Sequence, residues 1–543
     1  MPRPRGARLR AGESIPMTRD FHLPGRSSVI AQNAMAATSH PLATLAAIDT
    51  LRAGGTAADA AVTAVATLCV IEPAMTGIGG DCFCLVAKPG ADPWGYNGSG
   101  RTAATMRVET LLAQGIKAIS PDSVHSVTVP GALDAWAAIL AAHGRFGLDR
   151  ALQPAIRYAE NGFPVPPRVA FDWSIAEVRL RADPGAARHF LLDGRAPAVG
   201  DVMRLPALAA TLRAIAAGGP RAFYEGPPAA DIVATLASRG GQLRAEDFAS
   251  HRGELMLPIA GNYRGLDVIE LPPNGQGLTA LVLLNILERF DFKELDPFGP
   301  DRFHIALEAA RLAYAVRDTH VADPAFMSMP VPALLDKAFA AKLAERIDRS
   351  RRADLPKGPT PGADTTYVSV VDRDRMAVSL INSLSGSFGV GIATEETGIL
   401  LQNRGTYFVL DPHHPNAIGP AKRSMHTIIP ALAARAGRCE LCFGVMGGSF
   451  QPMGHAQVVA NLVDFGMDVQ AAIDVPRAFF EGERTLIERG LPAATVEGLN
   501  SRGHEIAVRP VPWGGAQVIA IDWDRGVLIG GSDFRKDGAA LGY

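Results

Sequence analysis

The stretch "GADTTYVSVVD", Gly362 to Asp372, sets a pair of threonines directly after an aspartate, at the mouth of a run that alternates like a strand. A threonine hydroxyl is a poor nucleophile until a base takes its proton, and a threonine that begins a chain carries such a base as its own α-amino group. With an ordinary pKa of about 7.7–8.0, that amine suits proton shuttling near neutral pH. Thr365 would acquire it if the peptide bond after Asp364 were cut. The preceding "RSRRADLPKGPTPGAD", residues 349–364, has charges, three prolines, two glycines and no periodicity, the composition of an exposed, flexible connector where a cut is tolerated. The competing explanation is structural: threonine favours strands, and strands often open on polar residues after a loop.

Other chemistry-bearing patterns carry less. "GIGGD", residues 77–81, lacks the Lys-Ser/Thr ending and following helix of a phosphate loop. Cys439 and Cys442 form a CxxC and Cys82 and Cys84 a CxC, but both lie in runs that read as strand, so buried thiols are expected rather than a metal site. His304 and Glu308 are four apart in "HIALEAARLAY", a metal-pair spacing that a helix-face contact explains equally. His413 and His414 fall in a Pro-rich loop, "LDPHHPNAIGP", of the kind that borders pockets. An N-terminal threonine needs no cofactor, and neither cofactor nor metal is expected.

The elements that must position Thr365 are legible from periodicity. "HPLATLAAIDTLRAGG" and "TAADAAVTAVATLCV" read as two helices with Gly54-Gly55 as the stop between them. The second is apolar almost all round, so it belongs between a sheet and an outer layer. "CFCLVAK" alternates as a strand, and the Ala/Leu-rich middle of the chain reads as helical scaffold. "TTYVSVVD" and "MAVSLIN" flank the turn "DRDR" as an antiparallel hairpin. "ELCFGVMGGS" is a strand entering a glycine turn, "QPMGHAQVVANLVDFG" a helix, and "AQVIAIDWDRGVLIGG" a last strand pair. The expected fold class is layered α/β with a mostly antiparallel sheet.

With 543 residues, 48% hydrophobic and 20% charged, the chain has the apolar content of a large globular core. A formal charge of -2 provides no basic field for nucleic acid. Five cysteines are too few for a secreted disulfide framework in a chain of this size. The basic start, residues 1–28, has no apolar run of signal-peptide type and is expected to be a mobile tail, of which residues 1–16 precede a second methionine, Met17. No stretch reaches the roughly 20 apolar residues that span a bilayer. A cytoplasmic enzyme acting on a small molecule, with no membrane or nucleic-acid partner, is expected.

"DTTYVSVVD" followed by "NSLSGSFGVGI", "ETGILLQNRG", "GPAKR", "GVMGGS" and "GSDFRKDGAALGY" resembles the γ-glutamyltransferase family of N-terminal nucleophile hydrolases. Upstream, "AATSHPLATLAAIDTLRAGGTAADAAVTA" and "EPAMTGIGGDCF" are similar to the N-terminal half of the same family, so the likeness runs from about Gln32 to Tyr543. The resemblance implies a single precursor that cuts itself before a threonine and keeps both pieces in a four-layer αββα sandwich. Thr365 takes the nucleophile's place, with the scissile bond between Asp364 and Thr365. Residues 29–364 then form the large subunit, residues 365–543 the small catalytic one, and a homodimer of such processed heterodimers is left open.

The family's site residues carry over one by one. Ser383 stands where the family has a threonine bonded to the nucleophile's amino group, and Gly447 and Gly448 match the glycine pair whose N–H groups face the developing oxyanion. A tight turn after a strand would need the same glycines. Ser385 and Asn403, in "NSLSGS" and "LLQNRG", belong to the expected substrate contacts. The family's carboxylate-gripping arginine falls at or near Asn97, with Arg101 four residues on. Where the family has an acidic residue for the substrate's ammonium, this chain has Arg404 and Tyr407. The family's paired serines shrink to Ser424, with His426 and Thr427 behind it.

Arg101 and Arg404 favour a carboxylate without an adjacent ammonium, although either arginine could instead serve a structural ion pair. The pattern is similar to side branches of the family, oxamate amidohydrolases and glutaryl-type cephalosporin acylases. The expectation is an amidohydrolase for a small carboxylate-bearing amide, working through an acyl-threonine. A true γ-glutamyltransferase acting on glutathione is the alternative within the family, and a silent binding protein on the same fold the alternative outside it.

Overall fold

The computed structural model describes His22, residues 25–354 and residues 365–543. Most of the expected N-terminal tail, and Asp364 with the rest of residues 355–364, lie outside the described residues.

The opening stretch forms the hairpin its alternation predicts: Thr366–Val371 pairs antiparallel with Ala377–Ser383, in a register running from Thr366 opposite Asn382 to Val371 opposite Ala377. Asp372 organises the turn, its Oδ1 accepting the N–H groups of Asp374 and Met376, both at 3.0 Å. Its Oδ2 accepts the Ala57 N–H at 2.9 Å, so the same carboxylate caps the start of the helix Ala57–Ile71. Thr56 and Asp59 complete that cap as a capping box. All 15 residues of this helix are buried, as its all-round apolar surface requires. The partner helix Pro41–Arg52 begins on His40, whose Nδ1 accepts the Leu42 N–H at 3.1 Å.

Among the described residues two seven-stranded sheets form the centre, and every strand pair in them is antiparallel. One has the order Ala539–Gly542, Met35–Thr38, Thr366–Val371, Ala377–Ser383, Asp81–Ala87, Trp94–Gly98, Glu254–Met256. The other has the order Val29–Ala31, Val527–Ser532, Gly515–Asp522, Arg438–Met446, Ala431–Arg435, Leu266–Glu270, Ile259–Tyr263. Each sheet interleaves strands from before and after Thr365. Ladder bonds therefore hold the two parts of the chain together whether or not the peptide between them is intact.

Three apolar clusters lie between successive layers. Helices Pro41–Arg52, Ala57–Ile71 and Ala132–His143 pack on Val368, Val370, Val378 and Leu380 of the first sheet. Tyr367, Val371 and Ile381, pointing the other way by strand alternation, meet Leu432, Cys442 and Ile519 of the second sheet. The second sheet's outer face, including Ala433, Phe443 and Val518, is covered by helices Gly277–Leu287, Pro300–His320 and Gln451–Val463. The architecture is the αββα sandwich.

Residues 349–354 differ from the free connector that composition suggests. His304 is bonded through Nε2 to the Asp348 carbonyl (2.7 Å), Glu308 Oε2 accepts the Ala353 N–H (2.7 Å), and Arg311 Nη1 donates to the Ala353 carbonyl (2.9 Å). The metal-like spacing of His304 and Glu308 is thus a helix face gripping the chain. The five cysteines are free thiols, buried except for the half-buried Cys439.

Candidate active site

Strand register puts the site together. Thr366 opposes Asn382 and Ser383 opposes Asp81, so Thr365, Ser383 and Asp81 lie side by side across the ends of three adjacent strands. Thr365 is 1% exposed, and its Oγ1 donates to Ser383 Oγ at 3.2 Å. The Ser385 N–H reaches the same oxygen at 2.8 Å, from a residue held at φ 79°. Arg404 Nη2 is a third donor to it, at 3.1 Å.

Arg404 starts the short turn Arg404–Tyr407 and is 1% exposed. Its Nη1 donates to Thr427 Oγ1 at 2.7 Å, its Nε is buried without a partner among the described residues, and the Tyr407 ring centroid lies 5.5 Å from its Cζ. Among the described residues no carboxylate makes an ion pair with it. Burial lowers its pKa, and the neighbouring Tyr407 and Asp81 offset only part of that. A buried guanidinium satisfied by hydroxyls alone is costly, and an anionic group would relieve the cost.

Asp81 acts on this guanidinium only at a distance, because its oxygens are engaged by other donors and make no direct ion pair with Arg404. The Gly100 and Gly131 N–H groups (both 3.1 Å) and Gln402 Nε2 (2.9 Å) converge on Oδ1, and His426 Nε2 meets Oδ2 at 3.0 Å. Since His426 Nδ1 accepts the Ile428 N–H (3.2 Å), the proton sits on Nε2 and is donated to Asp81. Burial, helped by the nearby Arg404 charge, pushes His426 down to about 3, so the imidazole is neutral at working pH. Burial alone would raise Asp81, but the hydrogen bond from His426, the nearby Arg404 charge and the bond from Gln402 outweigh it and hold the carboxyl below its usual range.

Gly447 and Gly448 approach from the second sheet. Ser369 Oγ donates to the Cys442 carbonyl (3.1 Å), and the Tyr367 ring covers Gly444 so closely that a Cβ there would lie 2.4 Å from it. Because Ser369 lies by Cys442 and Tyr367 by Gly444, the facing strands run in opposite directions, so Thr365 and the glycine turn after Met446 lie toward the same end of the intersheet space. Gly447 and Gly448 have φ of 127° and 55°, a path open to glycine. Such a turn can present its N–H groups to an oxygen on Thr365's side of the intersheet space.

The remaining residues divide. Asn97 is tied into a buried network, donating to Asn274 Oδ1 (2.7 Å) and accepting from Ser99 Oγ (2.6 Å). Asn274 in turn donates to the Ser424 carbonyl (2.8 Å), and Ser424 Oγ donates to the Arg404 carbonyl (3.3 Å). Asn403 accepts the Gly386 N–H (2.8 Å) and donates to the Pro121 carbonyl (3.0 Å), bracing the loop after Ser383. Arg101 is placed otherwise than a carboxylate reader requires: its guanidinium meets Glu254 at 2.7 Å and Asp323 at 3.4 Å, the ion-pair role. Of the two arginines considered, Arg404 alone keeps an uncompensated charge.

Two residues that motif reading passes over are central. Asp81 ends the "GIGGD" turn and anchors His426, and Gln276, from "PPNGQG", donates through Nε2 to the carbonyls of Thr427 (2.7 Å) and Gly448 (2.9 Å). A polar side chain between two glycines, just before a mostly apolar helix, was the available signal.

The chain as a whole is similar to known proteins. The family model described as Gamma-glutamyltranspeptidase matches residues 43–543. The glutathione hydrolase-like YwrD proenzyme of Bacillus subtilis (strain 168) is 38% identical over 528 residues, covering 95% of this chain and 99% of that protein. The oxamate amidohydrolase proenzyme of Klebsiella pneumoniae is 33% identical over 532 residues, covering 95% and 100%. Among solved structures, a cephalosporin acylase from Bacillus halodurans superimposes with a TM-score of 0.90 at 40% identity, covering 97% of this chain and 99% of that one.

Proposed function

The chain belongs to the gamma-glutamyltranspeptidase family of N-terminal nucleophile amidohydrolases, and on that premise we propose that it hydrolyses a small amide whose acyl part carries a carboxylate and no α-ammonium, of oxamate or glutaryl type. Its proenzyme relatives imply two subunits cut from one precursor, acting on a small molecule. Thr365 is the nucleophile of this reading. In the precursor its Oγ1 attacks the Asp364 carbonyl, the C–N bond breaks as the acyl group passes from nitrogen to oxygen, and water hydrolyses the ester, leaving a free α-amino group on Thr365.

That amine then takes the Oγ1 proton while the oxygen attacks the substrate carbonyl. The tetrahedral oxyanion faces the N–H groups of Gly447 and Gly448. Collapse expels the amine leaving group, which recovers the proton from the Thr365 ammonium, and water releases the acid by the same path in reverse order.

The observation that carries the substrate class is Arg404. It is a buried guanidinium without an ion pair among the described residues, one serine hydroxyl away from Thr365. It suits a carboxylate close to the scissile bond. For an ammonium the same residues offer no carboxylate turned toward it, since Asp81 is engaged by its own donors.

The test is a panel of oxamate, glutaryl and γ-glutamyl amides with purified, processed protein. Higher kcat/KM on the amides that lack an α-ammonium is expected. A strong preference for the γ-glutamyl compound would instead make the protein a γ-glutamyltransferase or glutathione hydrolase.

A further inference from the structure

We infer that Gln276 is a positioning residue that locks the glycine turn and the anion-reading arginine into one register. The inference rests on the assignment of Thr365 and Gly447–Gly448 proposed above. Gln276 is fully buried and sits at the N-cap of the helix Gly277–Leu287, in the part of the chain before Thr365. Its backbone N–H donates to the His426 carbonyl at 2.9 Å. Its side-chain oxygen accepts from Arg317 Nη1 at 2.8 Å, and its Nε2 donates to the Thr427 carbonyl (2.7 Å) and the Gly448 carbonyl (2.9 Å). Arginine can only donate and a carbonyl can only accept, so the amide has one orientation and every polar atom is used.

The two carbonyls it holds belong to the two halves of the site. Thr427 carries the hydroxyl that receives Arg404 Nη1, and Gly448 belongs to the turn that faces the oxyanion. A pair of glycines has little conformational preference of its own, so the direction of its peptide planes has to be imposed from outside. Here the Phe450 N–H holds the Gly447 carbonyl at 3.0 Å, Gln276 holds that of Gly448, and the Tyr314 hydroxyl holds that of Ser449. Of these three, only Gln276 also reaches the Arg404 side of the site. One amide from the large part of the chain thus sets the distance between charge recognition and transition-state stabilisation in the small part.

Gln276→Glu separates this role from simple burial of Arg317. The glutamate keeps an acceptor for Arg317, which is also paired with Asp318 at 2.7 Å, but it turns acceptor oxygens toward two carbonyls. The expected result is a lower Tm, slower self-cleavage, and kcat per folded, processed site lowered about 10- to 100-fold, the scale of an ångström-level misplacement. KM for the carboxylate-bearing amide should rise, while KM for a neutral amide stays level. Gln276→Met, neutral and of similar length, gives the same readouts if the glutamate variant does not accumulate as folded protein. Wild-type cleavage, kcat and KM in either variant would overturn the inference. A fall in Tm with kcat per folded site unchanged would overturn it too, assigning Gln276 to stability alone. Thr365→Ala, run alongside, isolates the underlying reading: activity there removes the nucleophile, whereas an inactive Thr365→Ala beside a fully active Gln276→Glu removes only the inference.

Discussion

Arg404 and Ser383 are joined by a 3.1 Å hydrogen bond inside the protein, and Ser383 is at the same time the hydroxyl partner of Thr365. A permanent positive charge therefore stands one side chain from the proposed nucleophile, with no carboxylate paired to it among the described residues. Guanidinium binds carboxylate through two parallel bonds, and in a desolvated site such a contact is stronger than at the surface.

Substrate discrimination follows from that charge. Arg404→Gln should lower kcat/KM for the acid-bearing amide by about 2–5 kcal/mol, the cost of losing a desolvated charge pair, while a neutral amide of the same size suffers little. Because the variant removes a buried charge rather than orphaning one, its Tm should hold or rise. Steady-state kinetics on the two amides decide it: equal losses on both would reduce Arg404 to a support of its loop.

Maturation should depend on hydroxyls at two positions. Thr365→Ala removes the oxygen needed for the acyl shift and should leave one uncut chain, whereas Thr365→Ser should still cut, more slowly. Ser383→Ala takes away the hydroxyl on which Thr365, Ser385 and Arg404 converge, and should slow cleavage without abolishing it. Intact-mass measurement follows each, and two fragments from Thr365→Ala would put the scissile bond elsewhere.

A pH effect on stability is expected from Glu72, which caps the end of the helix Ala57–Ile71 and accepts the Ser39 hydroxyl at 2.6 Å. Burial raises its pKa to about 7 against the opposing charge of Lys536. A carboxyl raised in the fold contributes stability that is complete below its unfolded value, near 4.5, and is lost as pH rises through about 7. Glu72→Gln should remove that dependence, so the difference in unfolding free energy between wild type and variant should change by about 3 kcal/mol across the window. Denaturant melts at several pH values measure it, and parallel pH profiles would show that Glu72 does not titrate in this range.

By itself the sequence determined the elements and the residue types at the candidate site. Alternation in "TTYVSVVD" and "MAVSLIN" fixes both the hairpin and which side chains share a face, and this is enough to bring Thr365 opposite Ser383. Helical periodicity and the stop at Gly54 mark the buried helical hairpin in the same way, because period and capping are properties of neighbouring residues. Which arginine keeps its charge available is not such a property. Arg101 and Arg404 are both plausible readers in the sequence, and only the folded chain brings Glu254 and Asp323 to the first while leaving the second among hydroxyls. Nor does spacing reveal Gln276, whose partners lie on loops remote in sequence and brought together by the stacking of two sheets. Local patterns encode faces and ends of elements; charge balance and hydrogen-bond satisfaction in a buried site are set by partners from distant segments, and are decided only when the layers close on one another.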